Sequence, residues 1–123
     1  MLCPHASVVA IVQSDDGEYL VMCRRTPPEG VAFVSGHADD EENPEHAVVR
    51  ELFEETGLRA GEVNLMVRRM RSVPCSRGFD EHEEYVFEIL TWSGKPENRE
   101  PDKCAWLRFC DPDFIPHLLG GQP

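Results

Sequence analysis

Three carboxylates, Glu51, Glu54 and Glu55, fall close together in the segment from Pro44 to Thr56. The segment reads as a helix. Asn43 is a capping residue type, Pro44 suits the first helical position, and Gly57 is the expected left-handed stop. At about 100° per residue, with Ala47 set at zero, the three acids fall at about 40°, 340° and 80°, so they share one face. Val48, Val49, Leu52 and Phe53 fall between about 100° and 240°, and this arc is predicted to pack into the core. Ala47 sits beneath the acids and adds no bulk. Like charges one turn apart repel, and anions near a helix C-terminus oppose the macrodipole. Two readings follow: a solvated acidic face partly neutralised by Arg50, or a site for a hard divalent cation. Oxygen-only ligands at this spacing suit Mg²⁺ or Mn²⁺.

The surrounding spacing is more specific. From Gly36 the chain runs five residues to Glu42 and seven more to Arg50-Glu51-Leu52, followed by Glu54-Glu55 and Gly57-Leu58. Every defined position of the box over residues 36–58 resembles the Nudix box, G-x5-E-x7-R-E-U-x-E-E-x-G-U, where U is aliphatic. The resemblance implies an α/β fold, the Nudix α/β/α sandwich with a mixed sheet, in which the box forms a loop-helix-loop. It also implies Mg²⁺-dependent cleavage of a nucleoside diphosphate linked to another moiety, X. On that resemblance Glu51, Glu54 and Glu55 are metal ligands, and Arg50 orients them by ion pairing. A backbone carbonyl of Ser35 or Gly36 joins the ligand set, Glu42 braces the loop, and Gly36 provides a tight turn. The commonest family pattern before the box is Pro-Gly-Gly. This chain has Val34-Ser35-Gly36 instead, which bears on loop geometry.

The chemistry also needs a proton acceptor near the metal. The segment Trp92–Trp106 looks like the loop before the last strand of MutT-type members, and Glu100 occupies the place of a glutamate that reaches the metal there. Asp80, Glu81, Glu83 and Glu84 compete for that role. Phosphate contacts are sought among Arg24, Arg25, Arg68, Arg69, Arg71 and Arg77, with Arg24 and Arg69 preferred. Phe79 is the preferred base-stacking residue over Phe33 and Tyr85. The five histidines show no metal spacing, although His37 lies in the box loop where substrate approaches.

These side chains must be positioned by the elements around them. Residues 6–12 form an apolar β-branched run and read as a buried strand; Asp15-Asp16-Gly17 is a tight-turn signal, and Tyr19–Cys23 reads as the return strand of a hairpin. Val31–Val34 is a short apolar segment leading to Ser35-Gly36, and His37–Glu42 an acidic loop. Val63–Val73 reads as a long strand whose alternation puts Arg69 and Arg71 on one face and Arg68 on the other. Glu84–Trp92 and Cys104–Phe109 read as further strands. Ser93–Lys103 reads as a loop, and Asp111-Pro112 as the start of a short helix toward Leu119. The expectation is one Nudix domain over residues 1–123 with a mixed sheet.

Composition narrows the partners. Twelve Lys and Arg against 23 Asp and Glu give a formal charge of −11. Such a chain repels polyanions, so long nucleic acid and anionic membrane surfaces are poor partners, and local arginines or a bound metal must mediate the approach of a phosphate compound. The five cysteines form no C-x-x-C pair and are expected as reduced thiols. No apolar stretch is long enough to span a membrane and no signal-peptide pattern opens the chain, so a cytoplasmic location is expected. Assembly is left open, with a twofold homodimer as a possible arrangement. The expected substrate is a small nucleotide, a nucleoside triphosphate first. ADP-ribose or a nucleotide sugar comes second, and a nucleotide sensor without turnover is the non-enzymatic reading.

Overall fold

The computed structural model describes residues 2–27, 29–72 and 77–114. Among these, six strands make one mixed sheet: β1 (Ser7–Ile11), β2 (Tyr19–Arg24), β3 (Gly30–His37), β5 (Val63–Arg71), β6 (His82–Ile89) and β8 (Cys104–Cys110). Their order across the sheet is β5-β6-β1-β3-β2-β8. β1 and β6 are parallel, and the other pairs are antiparallel. Two short strands, β4 (Arg59–Ala60) and β7 (Trp92–Ser93), pair separately. The helix α1 (Pro44–Thr56) packs on one face of the sheet, mainly over β3 and β1. No helix among the described residues is long and apolar enough to cross a membrane.

The apolar run at β1 is explained by burial on both faces. Val8, Ala10 and Val12 join Leu20, Val34, Ala47, Val48, Leu52 and Phe87 beneath α1. Val9 and Ile11 pack with Val21, Phe33 and Val86 on the far face. The helix boundaries agree with the sequence. Asn43 accepts a hydrogen bond from the Glu45 N–H at 2.7 Å, and Gly57 ends the helix at φ +81°, donating to the Phe53 carbonyl at 2.9 Å.

Three expectations are corrected. β1 and β2 touch only near their turn, where the Leu20 N–H donates to the Val12 carbonyl at 2.9 Å; β3 then lies between them. Its first half, Gly30–Phe33, pairs with β2, and its second half, Val34–His37, pairs with β1. Ser35, Gly36 and His37 therefore belong to a strand rather than to a turn and an acidic loop. Second, Trp92 leaves β6 to pair with Ala60. Third, Pro112–Phe114 forms a 3₁₀ turn, capped where Asp111 accepts from the Asp113 N–H at 2.8 Å. The rest of the helix expected toward Leu119, and Val73 at the end of the expected strand, lie outside the described residues.

The helix also rolls relative to the expected orientation. Its buried residues are Ala47, Val48, Leu52 and Thr56, whereas Phe53 is only half-buried. Glu51 and Glu55 thus share the inward arc with Ala47, and Glu54 looks outward. Ala47 permits this by letting the helix approach β3 closely. Phe53 is covered by guanidinium groups instead of core: Arg59 and Arg99 lie 4.6 and 5.1 Å from its ring centroid.

A candidate active site at the junction of β3 and the helix

The site begins with the place where β3 meets α1. Gly36 pairs with Val8 and has no positive φ, so turn geometry does not require glycine here. Space does. A Cβ built on Gly36 would overlap the carboxylate of Glu51. The bare backbone of β3 is therefore a cradle for that side chain, and the tight turn expected at Gly36 is replaced by a close approach.

Arg50 organises the outer side of the site. Its Nε and Nη2 donate to the two oxygens of Glu42, both at 2.8 Å, and its Nη2 also donates to the His37 carbonyl at 3.0 Å. Its Nη1 donates to Glu51 at 3.1 Å and to Glu54 at 3.0 Å. Glu42 additionally accepts the Asp39 N–H at 2.8 Å. The Arg50 bond, with the backbone bond behind it, holds the Glu42 carboxyl at about 2 despite partial burial. The bidentate fork fixes the box loop to the helix.

The inner side is the opposite case. Glu55 is half-buried and its carboxyl is pushed far above the usual range, first by desolvation and then by a hydrogen bond to Glu51 and by the charges of Glu51 and Glu100; Arg24 opposes this. A carboxyl drawn out of water beside a second acid is a costly arrangement. A divalent cation would offset that cost, so the donor set fits a hard metal: Glu51 and Glu55 on the inward arc, Glu54 at the rim, and the strand backbone of Gly36 beside Glu51. Among the described residues, no three His, Cys, Asp or Glu side chains are already gathered in ligand geometry. Glu51 and Glu54 are each turned toward Arg50, and loading would have to draw them from it.

Glu100 is brought to this cluster. It is half-buried, and burial followed by the charges of Glu51 and Glu54 raises its carboxyl, with Lys103 opposing. The competing acids are not brought there. Glu83 is paired with Arg68 at 2.6 Å, and Glu84, on the far face, with Arg69 at 2.7 Å. Asp80 and Glu81 are exposed on the approach to β6. Arg24 reaches the site, donating to Ser35 Oγ at 3.2 Å and to the Pro27 carbonyl at 3.1 Å. Arg69 does not, because Glu84 occupies it. The predicted alternation of Arg69 and Arg71 against Arg68 is observed, with both former residues on Glu84. Phe79 is half-buried and forms no ring stack among the described residues. Phe33 is core, edge-on to Tyr19 at 5.9 Å.

Two features escaped the sequence. His37 has a buried Nε2 without a partner, and burial, then Arg77 and His82, lower its imidazole to about 4. Its side chain shares the face of Ser7 and Glu84, as the strand register requires. Arg99, an unremarked loop residue, lies on the end of α1. A surface cavity of about 290 Å³ opens beside Asp39, Asp40, Glu42 and Tyr85, but Glu51, Glu54, Glu55 and Glu100 do not line it.

Comparison with known proteins identifies the family. Residues 4–122 match the model of the NUDIX domain. An RNA pyrophosphohydrolase of Pseudomonas aeruginosa is 35% identical over 71 residues, covering 58% of this chain and 40% of that protein. The chain thus spans about two fifths of the length of the curated relatives it matches. Among solved structures, a MutT NUDIX hydrolase from Burkholderia pseudomallei is 27% identical at a TM-score of 0.78, covering 90% of this chain and 85% of that one. The NUDIX domain of Shewanella oneidensis NrtR, complexed with ADP ribose, shares the fold at 16% identity and a TM-score of 0.73, covering 95% and 76%.

Proposed function

This chain belongs to the NUDIX domain family, and from that premise we propose that it hydrolyses a phosphoanhydride bond in a nucleoside diphosphate linked to X, with a nucleoside triphosphate as its substrate. We read residues 1–123 as one such domain. The observation that carries the proposal is the approach of Glu51 to the bare backbone of Gly36, with Glu55 half-buried beside it. A purely structural acidic face has no reason to draw two adjoining carboxylates out of water.

In this reading Glu51, Glu54 and Glu55, with a carbonyl of Ser35 or Gly36, hold Mg²⁺, or Mn²⁺ in its place. When bound, the ion neutralises polyphosphate oxygens and lowers the pKa of water. Arg50 keeps Glu51 and Glu54 on their side of the helix while Glu42 anchors it. Glu100 accepts the proton of the attacking water; its raised carboxyl makes it a better base than an ordinary exposed glutamate. The water oxygen bonds to phosphorus, the bridging P–O bond breaks, and its electrons leave on the departing phosphate. In the same reading Arg24, which donates to Ser35 Oγ, meets phosphate oxygens at the mouth of the site.

A second reading is supported by the 35% identity to an RNA pyrophosphohydrolase: the triphosphate is the 5′ end of an RNA. The charge of −11 weighs against a long polyanion. The deciding experiment measures phosphate and pyrophosphate release with Mg²⁺ from nucleoside triphosphates, ADP-ribose, nucleotide sugars and 5′-triphosphorylated RNA. Fastest turnover on a free triphosphate is expected. Preference for the RNA end would replace the first reading with the second, and preference for ADP-ribose or a nucleotide sugar would move the substrate class. Binding without turnover on any of them would make the chain a sensor.

A further inference from the structure

The loop between β7 and β8 is bonded to the end of α1. The Glu97 N–H donates to the Thr56 carbonyl at 3.0 Å, and the Arg99 N–H to the Glu55 carbonyl at 3.1 Å. Both carbonyls belong to the last helical turn, whose acceptors have no partner within the helix. Within the loop, Asn98 Nδ2 donates to the Cys104 carbonyl at 2.9 Å, and its Oδ1 accepts the Glu100 N–H at 3.2 Å. The Glu100 carbonyl accepts from the N–H groups of Lys103 and Cys104, each at 2.9 Å. The backbone of Glu100 is thus pinned on both sides. Its carboxylate accepts no hydrogen bond among the described residues and faces the charges of Glu51 and Glu54.

Arg99 locks this loop down. Its Nε donates to Glu97 at 2.8 Å, and its guanidinium lies 5.1 Å from the Phe53 ring centroid. A Cβ on Gly57 would come within 2.9 Å of its Nε and Nη2, so the guanidinium rests against that glycine. The electrostatics favour the contact. The last turn of α1 has no basic residue of its own and carries Glu54 and Glu55, where the macrodipole disfavours anions. Arg99, with Arg59, brings a cation to this end from outside the helix. The same contact covers Phe53, which the sheet leaves half-buried.

We propose that Arg99 is a positioning residue: through Phe53, Gly57 and the Glu55 carbonyl it fixes Glu100 against the acid cluster, so that the base and the proposed ligands move as one body. The proposal rests on the reading of Glu100 as the proton acceptor. Its test has two arms. In the metal-free protein, amide hydrogen exchange is measured for Arg99→Ala against the parent. Faster exchange at the amides of residues 97, 99, 103 and 104, with Leu52 unchanged, is expected. In steady-state kinetics on a nucleoside triphosphate, Arg99→Ala lowers kcat about 10- to 100-fold with KM within about threefold, since small misplacement of a reacting group is costly. Arg99→Lys, which keeps a cation over Phe53, recovers most of the loss. In a Glu100→Ala background, Arg99→Ala adds less than about twofold, because the group it positions is gone. Unchanged exchange, or full additivity with Glu100→Ala, would overturn the positioning role while leaving the base intact. Glu100→Ala with undiminished kcat would overturn the base and the positioning role together.

Discussion

Among the described residues, two carboxylates drawn out of water, Glu84 and Glu55, are treated oppositely. On the far face of the sheet, Glu84 is 5% exposed and sits between Arg69 at 2.7 Å and Arg71 at 3.5 Å. On the inward arc of α1, Glu55 is half-buried beside Glu51, with Glu100 near and its own carboxyl held up toward the neutral form. The first charge is matched by two cations and needs nothing further. The second has acids for neighbours, Arg24 is the cation that opposes its rise, and Arg50 is committed to Glu42. A buried charge with its counter-charge beside it is architecture. A carboxyl raised toward its neutral form among other acids is the arrangement that the proposed cation would relieve.

The largest effect that could break this comparison is on turnover. Glu55→Gln should lower kcat by about 10³-fold or more, as removal of a metal ligand or a key electrostatic group does. The fold should be retained, because the amide keeps the hydrogen bond to Glu51 without a charge to desolvate. Circular dichroism and a steady-state assay check both parts. Near-parent activity would place Glu55 with Glu84, as architecture. Gly36→Ala should act in the same direction, about 10²-fold, because the methyl group displaces the Glu51 carboxylate by part of an ångström or more.

The converse variant sharpens the other half. Glu84→Ala leaves Arg69 and Arg71 without their shared partner and should cost about 2 kcal/mol of stability in urea unfolding, with turnover per folded molecule unchanged. A matching loss of kcat would tie the far face to the reaction. A smaller effect is expected from Mg²⁺ on the melting temperature. Binding to the native state alone should raise it by a few degrees at about 100 times the dissociation constant. The shift should persist in Glu84→Ala and vanish in Glu55→Gln.

The smallest effect concerns acid. Glu42 is depressed from 4.5 to about 2 in the folded chain, so its contribution to stability is complete above 4.5 and is lost as pH falls from 4.5 toward 2. Glu42→Gln should flatten the stability profile over that window and leave the profile above it parallel to the parent. An unchanged slope would mean that the fork to Arg50 does not form in solution.

Much of this was legible in the sequence because it depends on local rules. Asn43, Pro44 and Gly57 fix the ends of α1 by capping and backbone preference, and the box spacing identifies Glu42, Arg50, Glu51, Glu54 and Glu55. What was not legible depends on tertiary packing. The insertion of β3 between β1 and β2 leaves no trace in either strand, since both would be equally apolar in a simple hairpin. The roll of α1 contradicts binary patterning: Phe53 counts as core until Arg59 and Arg99 are seen to cover it, and Glu51 counts as surface until the bare backbone of Gly36 is seen to receive it. Arg69 looked available for phosphate because a sequence does not show that Glu84 stands opposite it in the ladder. At Gly36 a turn is the commoner reason for a glycine, whereas close approach of Glu51 is the actual one.

The central claim is that the carboxylates of Glu51, Glu54 and Glu55 receive a divalent cation. It is tested most directly by crystals soaked in Mn²⁺ and an anomalous-difference map. The account predicts a peak within bonding distance, about 2.0–2.3 Å, of carboxylate oxygens from Glu51 and Glu55, with Arg50 still forked to Glu42. No peak there under saturating Mn²⁺, or a peak confined to the Asp39–Glu42 loop, would contradict it.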